Sequence, residues 1–412
     1  MTERICILAS VFWPIYPGFG GRHAYALAGN LVEAGYEVDV VAAFPIDLRR
    51  RWNFFKQRPI SKDNPNGMRI FRIFSLMPTG LGLIRKLLFY LSFALTSLIA
   101  IPFVRKADYV LALHPPPAWL ILPGFVFSRV LRAKYVIRVT DLWPDVVFEF
   151  KLANRPPLRQ LVKLMAKITY GMADQIMAFT PEIRDRMVER GIPESKISVV
   201  EMAVDTVTFS PELVTSEEAQ PLGLPESKDN FMVLYAGAFA LTYDFDALLK
   251  AAKILEHENI QFVILGDGDA KNQITQTIRQ LNLKNVIMAP PVAGAEKVAK
   301  CINYSDVCVM PLKPEMLTST ITRPSKVFEF WACGKPVISC TKGEMEHLTA
   351  ESGAGIVVEP GDVEGLATAI NRLYQNPDET NEMGKKAREY VASRFSYESL
   401  QASLVSTLEK VK

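Results

Sequence analysis

Apolar positions along this chain follow two alternating rhythms. Continuous β-rich runs give way to stretches in which apolar residues return every three or four positions. ICILASVF (5–12) is a run of the first kind, and HAYALAGNLVEAG (23–35) is of the second, with Ala24, Leu27, Leu31 and Ala34 at helical spacing. YEVDVVAAF (36–44) is apolar and β-rich again. Strand, helix and strand in that order predict a βαβ unit, hence a parallel sheet with helices on its faces. Runs at 108–113, 134–140, 174–180 and 196–202 extend the strand series. A polar, proline-bearing stretch at 210–230 reads as a linker. Beyond it strands are predicted at 231–237, 260–268, 285–290, 306–312, 335–340 and 353–360. Helices are predicted at 244–257, 326–334 and 381–411, the last broken near Ser393–Ser396. The expectation is an α/β chain of two tandem doubly wound, Rossmann-like domains, each binding ligands at the carboxyl ends of its strands.

Composition narrows the class. At 412 residues, 49% hydrophobic and 22% charged, the chain supports two packed cores and is neither disordered nor fibrous. A formal charge of +3 argues against a general nucleic-acid binder. The charge is unevenly spread, however. Residues 1–206 carry 27 Lys and Arg against 17 Asp and Glu, whereas 207–412 carry 20 against 27. A basic half implies a face that meets something anionic, such as a phospholipid surface. The five cysteines form no CxxC pair and lie in apolar stretches, as small buried residues of a reducing compartment do. The first apolar run stops at Trp13-Pro14 and reads as a strand, not as a secretory signal.

LLFYLSFALTSLIAIPFV (87–104) is uncharged and flanked by basic pairs at Arg85-Lys86 and Arg105-Lys106. As a helix it would reach roughly 27 Å, near the bilayer minimum. A span would divide the strands of one sheet between two compartments, and the flanks lack a one-sided charge signal. The segment, including Leu88, Phe89 and Phe93, therefore reads as a membrane-dipping or interfacial helix, ahead of an ordinary buried helix. LRRRWNFFKQR (48–58) mixes Arg50 and Arg51 with Trp52, Phe54 and Phe55, which suits a headgroup layer.

Three motifs carry candidate chemistry. PGFGGR (17–22) reads as a glycine loop before the first helix, with Gly20, Gly21 and His23 near its amino end. It lacks GxGxxG spacing and an acid after the second strand, so NAD binding is disfavoured. YAGAF (235–239) and LGDGD (265–269) end successive strands with Gly237, Gly266, Asp267 and Gly268. The Asp-x-Asp pairs at 244–246 and 267–269 read as a helix start and a turn in preference to metal clamps, and no metal site is expected. In TRPSKVFEFWACGKPVIS (322–339), Pro324-Ser325 opens a helix, with Ser325 as N-cap or Pro324 near the first turn. Lys326 and Glu329 are three apart on that helix. A phosphate at its start would meet backbone N–H groups and the Lys326 cation, and a ribose beyond would donate to the Glu329 carboxylate.

At these residues the chain resembles the retaining glycosyltransferase family 4, of the two-Rossmann GT-B architecture. The resemblance rests on the glycines at 20–21, the GDG turn, the Glu329 helix followed by ACGKPVI, and the late helix. It is strongest to the branch carrying DLWP (141–144) and PSK (324–326). It implies a first domain at 1–205, joined by a crossing helix at 395–412, and a second domain at 206–394. Departures are clear. The first of the family's two glutamates would fall on Ile321, AFALTY (238–243) lacks the diphosphate-holding Arg and Lys, and Thr140 stands where a His commonly precedes Asp141. Lys326, with Arg323, is expected to replace that charge, and Asp141 to touch the donor sugar.

The resemblance implies a metal-independent glycosyltransferase that needs no cofactor beyond its nucleotide diphosphate-sugar, UDP-sugar favoured. The second domain would hold that donor through Glu329, Ser325, Gly237, Gly266, Asp267 and Gly268. The first would bring a lipid-linked acceptor, with Gly20, Gly21 and His23 at the cleft, from the cytoplasmic face of a membrane, as a peripheral or monotopic protein in surface-polysaccharide assembly. The alternatives are a nucleotide-sugar 2-epimerase of the same architecture and a non-enzymatic membrane scaffold.

Overall fold

The structure is a computed structural model. It describes residues 2–13, 19–44, 60–63, 65–76, 83–114, 121–140, 142–144, 148, 155–314 and 323–412. The chain divides into two compact units, Met1–Met202 with Tyr397–Lys412, and Ala203–Ser396.

The first unit is built on an eight-stranded sheet. Its elements run β1 (Arg4–Ala9), α1 (Phe19–Glu33), β2 (Glu37–Ala43), β3 (Ile60–Asp63), β4 (Arg69–Ile73), α2 (Leu83–Ser97), β5 (Tyr109–His114), α3 (Ile121–Leu131), β6 (Lys134–Val139), α4 (Pro156–Gly171), β7 (Gln175–Ala178), α5 (Pro181–Glu189) and β8 (Ile197–Val199). Strand order is β3-β4-β2-β1-β5-β6-β7-β8. Every pair is parallel except β3 with β4. Buried runs such as Ile5–Ala9 and Tyr135–Ile137 make the strands apolar on both faces, as a sheet covered on both sides demands. The order reverses at β1 and β5. Right-handed crossovers therefore place α1 on one face and α2, α3, α4 and α5 on the other.

The second unit holds the order β11-β10-β9-β12-β13-β14, all parallel. Its strands are β9 (Phe231–Ala238), β10 (Ile260–Asp267), β11 (Val286–Ala289), β12 (Val307–Pro311), β13 (Val337–Cys340) and β14 (Gly355–Val358). Its helices are α6 (Ser216–Ala219), α7 (Phe245–Ile254), α8 (Lys271–Gln280), α9 (Ala295–Tyr304), α10 (Ser325–Ala332), α11 (Glu344–Ser352), α12 (Val363–Gln375) and α13 (Pro377–Arg394). The direction of winding switches between β9 and β12, which opens a crevice at their carboxyl ends. α13 stops at Arg394, and α14 (Tyr397–Glu409) packs against α1 of the first unit, where Gln401 Nε2 donates to Asn30 O at 2.9 Å.

Three expectations need correction. The stretch 210–230 is no free linker. It is packed on α9, with Asn303 bonded to Glu212 N and Ser210 O, Tyr304 Oη to Pro225 O, and Ala219, Leu222 and Leu224 buried. Residues 87–104 are not one helix, because α2 ends at Ser97 and the chain continues as 3-10 turns through Leu98–Phe103, which contain Pro102. No described helix is long and apolar enough to cross a membrane. Finally, Gly20 and Gly21 lie inside the first turn of α1, not in a loop ahead of it.

Candidate functional site

The switch point of the second unit brings together residues that are distant in sequence. β9 ends in Gly237 at φ +147°, and β10 in Gly266 at φ +146°. A Cβ on Gly266 would overlap the Gly237 carbonyl, and one on Gly237 would overlap the Lys326 ammonium. Conformation favours glycine at both positions, and at Gly266 the fixed backbone of Gly237 leaves no space for a side chain either. Phe239, fully buried, ties the two strand ends together: its N–H donates to Asp267 O at 2.9 Å, and its carbonyl accepts from Ala270 N at 3.0 Å. Gly268 packs under the same backbone. Asp267 is exposed at the turn, where its Oδ1 accepts from Gly268 N at 3.0 Å and meets Lys271 Nζ at 3.2 Å.

α10 starts beside this pair of strand ends. Its apolar face is buried through Val327, Phe328, Phe330, Trp331 and Ala332. Trp331 Nε1 donates to Ala354 O at 3.1 Å, and Phe328 packs on Phe395 with ring centroids 4.7 Å apart. That anchoring leaves Ser325, Lys326 and Glu329 as the partly exposed residues on the other side. Pro324 takes the N-cap position and Ser325 is the first helical residue, with no side-chain cap, so of the two expected openings it is Pro324 near the first turn that occurs and not a Ser325 cap.

Lys326 Nζ donates to Tyr235 Oη at 3.0 Å and lies 4.5 Å and 4.1 Å from the ring centroids of Tyr235 and Tyr243. Among the described residues it has no carboxylate at salt-bridge distance. Burial pushes its pKa down to about 7, and the Glu329 carboxylate works in the opposite direction. Tyr235 in turn donates to Ala238 O at 2.6 Å, and burial raises both tyrosine hydroxyls. An aromatic cage thus holds an ammonium by ring faces and one hydroxyl. The sequence reading missed Tyr235 and Tyr243. Their signal was the aromatic spacing in YAGAFALTYDF (235–245), where four aromatics converge only after the β9–α7 loop folds.

Arg323 does not supplement Lys326. It is buried, donating to Glu344 Oε2 from Nε at 3.1 Å and from Nη2 at 2.7 Å, so its charge is committed to a structural pair. A cavity of about 650 Å³ lined by Lys335, Asp306 and Arg388 opens at the amino ends of β9, β12 and β13, the sheet edge opposite the Lys326 cluster.

In the first unit His23 is buried, in contrast to the expected open cleft residue. Its Nε2 sits 3.1 Å from Arg138 Nη2, and its ring is edge-on to Phe179 at 5.9 Å. Burial, then the Arg138 charge, lower its pKa to about 3, so it is neutral and accepts from the guanidinium. Arg138 also donates to Glu201 O at 3.1 Å, while its Nε and Nη1 have no hydrogen-bond partner. A side chain on Gly20, which is exposed, would meet Val11 at ordinary contact distance among the described residues. Gly21 is buried. Phe89 and Phe93 are also buried, packed with Ala43 and Ala94 in a core cluster, so the expectation that they touch lipid is overturned; Leu88 is exposed. Asp141, and Arg50, Arg51, Trp52, Phe54 and Phe55, lie outside the described residues. Asp244 caps α7 by accepting from Ala247 N at 3.0 Å, and no group of metal-ligating side chains occurs among the described residues.

Two doubly wound parallel-sheet units fit an α/β enzyme of the GT-B fold. Residues 20–208 match the family described as Glycosyltransferase Family 4, and residues 216–390 match Glycosyl transferases group 1. Similar proteins include the amylovoran biosynthesis glycosyltransferase AmsK of Erwinia amylovora, 20% identical over 397 residues and covering 93% of this chain and 94% of that one. Among solved structures, sucrose-phosphate synthase of Thermosynechococcus elongatus aligns with TM-score 0.76 at 18% identity over 99% of each chain. Anabaena HepE in complex with UDP aligns with TM-score 0.72 at 14% identity over 99% of this chain and all of that one. The chain carries glycosyltransferase group 1 and family 4-type domains and is a glycosyltransferase of the GT-B fold.

Proposed function

We propose that this glycosyltransferase retains anomeric configuration and moves a sugar from a nucleotide diphosphate-sugar, UDP-linked in preference, to a lipid-linked glycan acceptor in surface-polysaccharide assembly. The single observation that carries the reading is the caged Lys326 at the switch point, an ammonium whose Coulomb partner Glu329 lies one helical step away. The donor diphosphate lies at the start of α10 against Lys326 and the Ser325 backbone N–H. Glu329 accepts hydrogen bonds from the ribose hydroxyls, and Gly237, Gly266 and Gly268 admit the nucleotide close to the backbone. Asp267 borders the turn, and Asp141 is the residue expected from the family resemblance to touch the donor sugar.

As the glycosidic bond breaks, negative charge grows on the leaving diphosphate. Lys326 and the helix amides stabilise that charge, and the phosphate oxygen itself accepts the acceptor's proton. No metal ion is needed for that step. Arg323 holds the entry to α10 through Glu344, a positioning role. The acceptor is presented at the cytoplasmic face of a membrane, with the protein peripheral to it. The AmsK likeness supports the polysaccharide context, because that relative is described as an amylovoran biosynthesis enzyme.

Membranes mixed with the protein and a panel of labelled nucleotide sugars test the reading. Label from one nucleotide sugar should move into the lipid fraction. Interconversion of the free nucleotide sugar without transfer would establish the epimerase, and neither transfer nor interconversion with any nucleotide sugar would point to a scaffold.

A further inference from the structure

The helical layer formed by α2, α3 and α4 on one face of the first unit exposes apolar side chains in rows. α2 and its 3-10 extension turn Leu91, Leu95 and Ile99 outward while Phe93, Ala94 and Ala100 are buried. α3 does the same with Leu122, Val126 and Val130, spaced four apart. On α4, Leu158, Leu161, Leu164 and Ile168 fall within about a third of the helix circumference. These are not isolated exposed leucines: Leu95 is 63% exposed, Val130 57% and Leu164 54%, with α2 and α3 in contact and α4 following on the same face of the sheet.

Charge on the same layer has one sign. No Asp or Glu occurs between residues 83 and 107, 121 and 140, or 155 and 173. On α4, Arg159, Lys163 and Lys167 are exposed four residues apart and flank the apolar row, while Val162, Ala166 and Thr169 anchor the helix to the sheet. On α3, Arg129 and Arg132 are exposed. A water-facing helix has no reason to combine an outward apolar row with an acid-free cationic flank. A helix lying in the headgroup plane has both, apolar residues entering the acyl boundary and cations meeting phosphates. Helices packed in parallel on one sheet face also make a broad surface, where a peptide-binding site would need a groove.

We propose that the outer face of α2, α3 and α4 docks on a bilayer carrying anionic phospholipid, with α4 supplying the cationic contacts. The inference rests on the membrane reading given under the proposed function and supplies its surface and lipid class. Docking uses residues other than Ser325, Lys326 and Glu329, which hold the nucleotide and lie in the second unit. Phe89 and Phe93 serve as the inner anchor that holds the α2 row outward.

The test is co-sedimentation of the full chain, without donor or acceptor, with vesicles of phosphatidylcholine alone or of phosphatidylcholine mixed with phosphatidylglycerol. The protein should pellet with the anionic vesicles, less so as salt rises. Arg159→Gln/Lys163→Gln/Lys167→Gln should weaken anionic binding by about a hundredfold. Leu161→Gln/Leu164→Gln should weaken it by a similar factor, whereas Lys385→Gln/Lys386→Gln in the second unit should bind as wild type. Both α4 variants change exposed side chains only, and unaltered thermal shift with UDP will show that they are folded. No pelleting with anionic vesicles, or α4 variants that pellet like wild type, would overturn the proposal. So would a lipid-free dimer that Leu161→Gln/Leu164→Gln dissociates, since the occupant would then be a second copy of the chain. Loss of docking with UDP binding intact leaves the transferase reading standing; docking without any sugar transfer would remove that reading and keep this one.

Discussion

The ammonium of Lys326 fills the space that a side chain at position 237 would occupy. A Cβ built on Gly237 overlaps Nζ of Lys326, 89 positions away in the chain, and the φ of +147° at Gly237 is open only to glycine. A strand end and a helix start are thereby locked into one feature, with Tyr235 and Tyr243 closing its sides.

Gly237→Ala tests that lock directly. The added methyl must displace the ammonium from its cage and strain the backbone, at a cost of about 1–3 kcal/mol. Thermal unfolding should move to lower temperature, and nucleotide affinity measured by calorimetry should fall. A variant with wild-type stability and affinity would show that the cage is not needed.

The Lys326 pKa of about 7 gives a signed pH prediction for the ligand-free protein. Below about pH 7 Lys326 is charged both folded and unfolded, and the folded state carries the full cost of burying that charge. Between there and the ordinary lysine value the folded protein holds it neutral while the unfolded chain binds the proton, so this group's contribution to stability rises with pH. Lys326→Met should therefore raise stability more at pH 6 than at pH 9 in urea titrations. An equal effect at both pH values would mean that the ammonium is not desolvated.

The two α10 side chains should separate kinetically under the proposed mechanism. Lys326→Ala should lower kcat by about a hundredfold or more, because it acts on charge that develops during bond breaking. Glu329→Ala should mainly weaken donor binding, seen as a raised KM with kcat better preserved. The reverse assignment of kcat and KM effects would exchange their roles.

Arg323 and Glu344 form a buried pair, so removing one partner leaves the other charge stranded. Arg323→Met or Glu344→Gln alone should cost about 3–5 kcal/mol in chemical denaturation, and Arg323→Met/Glu344→Leu should recover most of it. If the double variant retains full turnover, the positioning role at the α10 entry is excluded as well.

Much of the fold was legible because its signals are local. The short β-branched run at 260–265 forms a strand, and the helical spacing at 24, 27 and 31 survives as the inner face of α1, with Ala34 just past its end. Helix–strand alternation then forces parallel sheets, since each crossover needs a helix to return the chain. Among the site residues, Gly237, Gly266 and the Lys326–Glu329 step could be read from strand ends and helical spacing.

What the chain alone could not reveal depends on which local pieces meet. Arg323 and Lys326 look alike as two cations of one motif, yet Glu344 claims the first, while the second points among aromatic rings from the β9–α7 region. His23 and Arg138 are 115 positions apart and become partners only when α1 covers β6. Phe93 and Leu95 sit in the same apolar run, but the packing of α2 on the sheet buries one and exposes the other. The primary structure determined the elements and their alternation. The tertiary structure decided the pairing of charges and the exposure of apolar side chains, because Coulomb and burial energies depend on distance in space and on what excludes water, neither of which is set by distance along the chain.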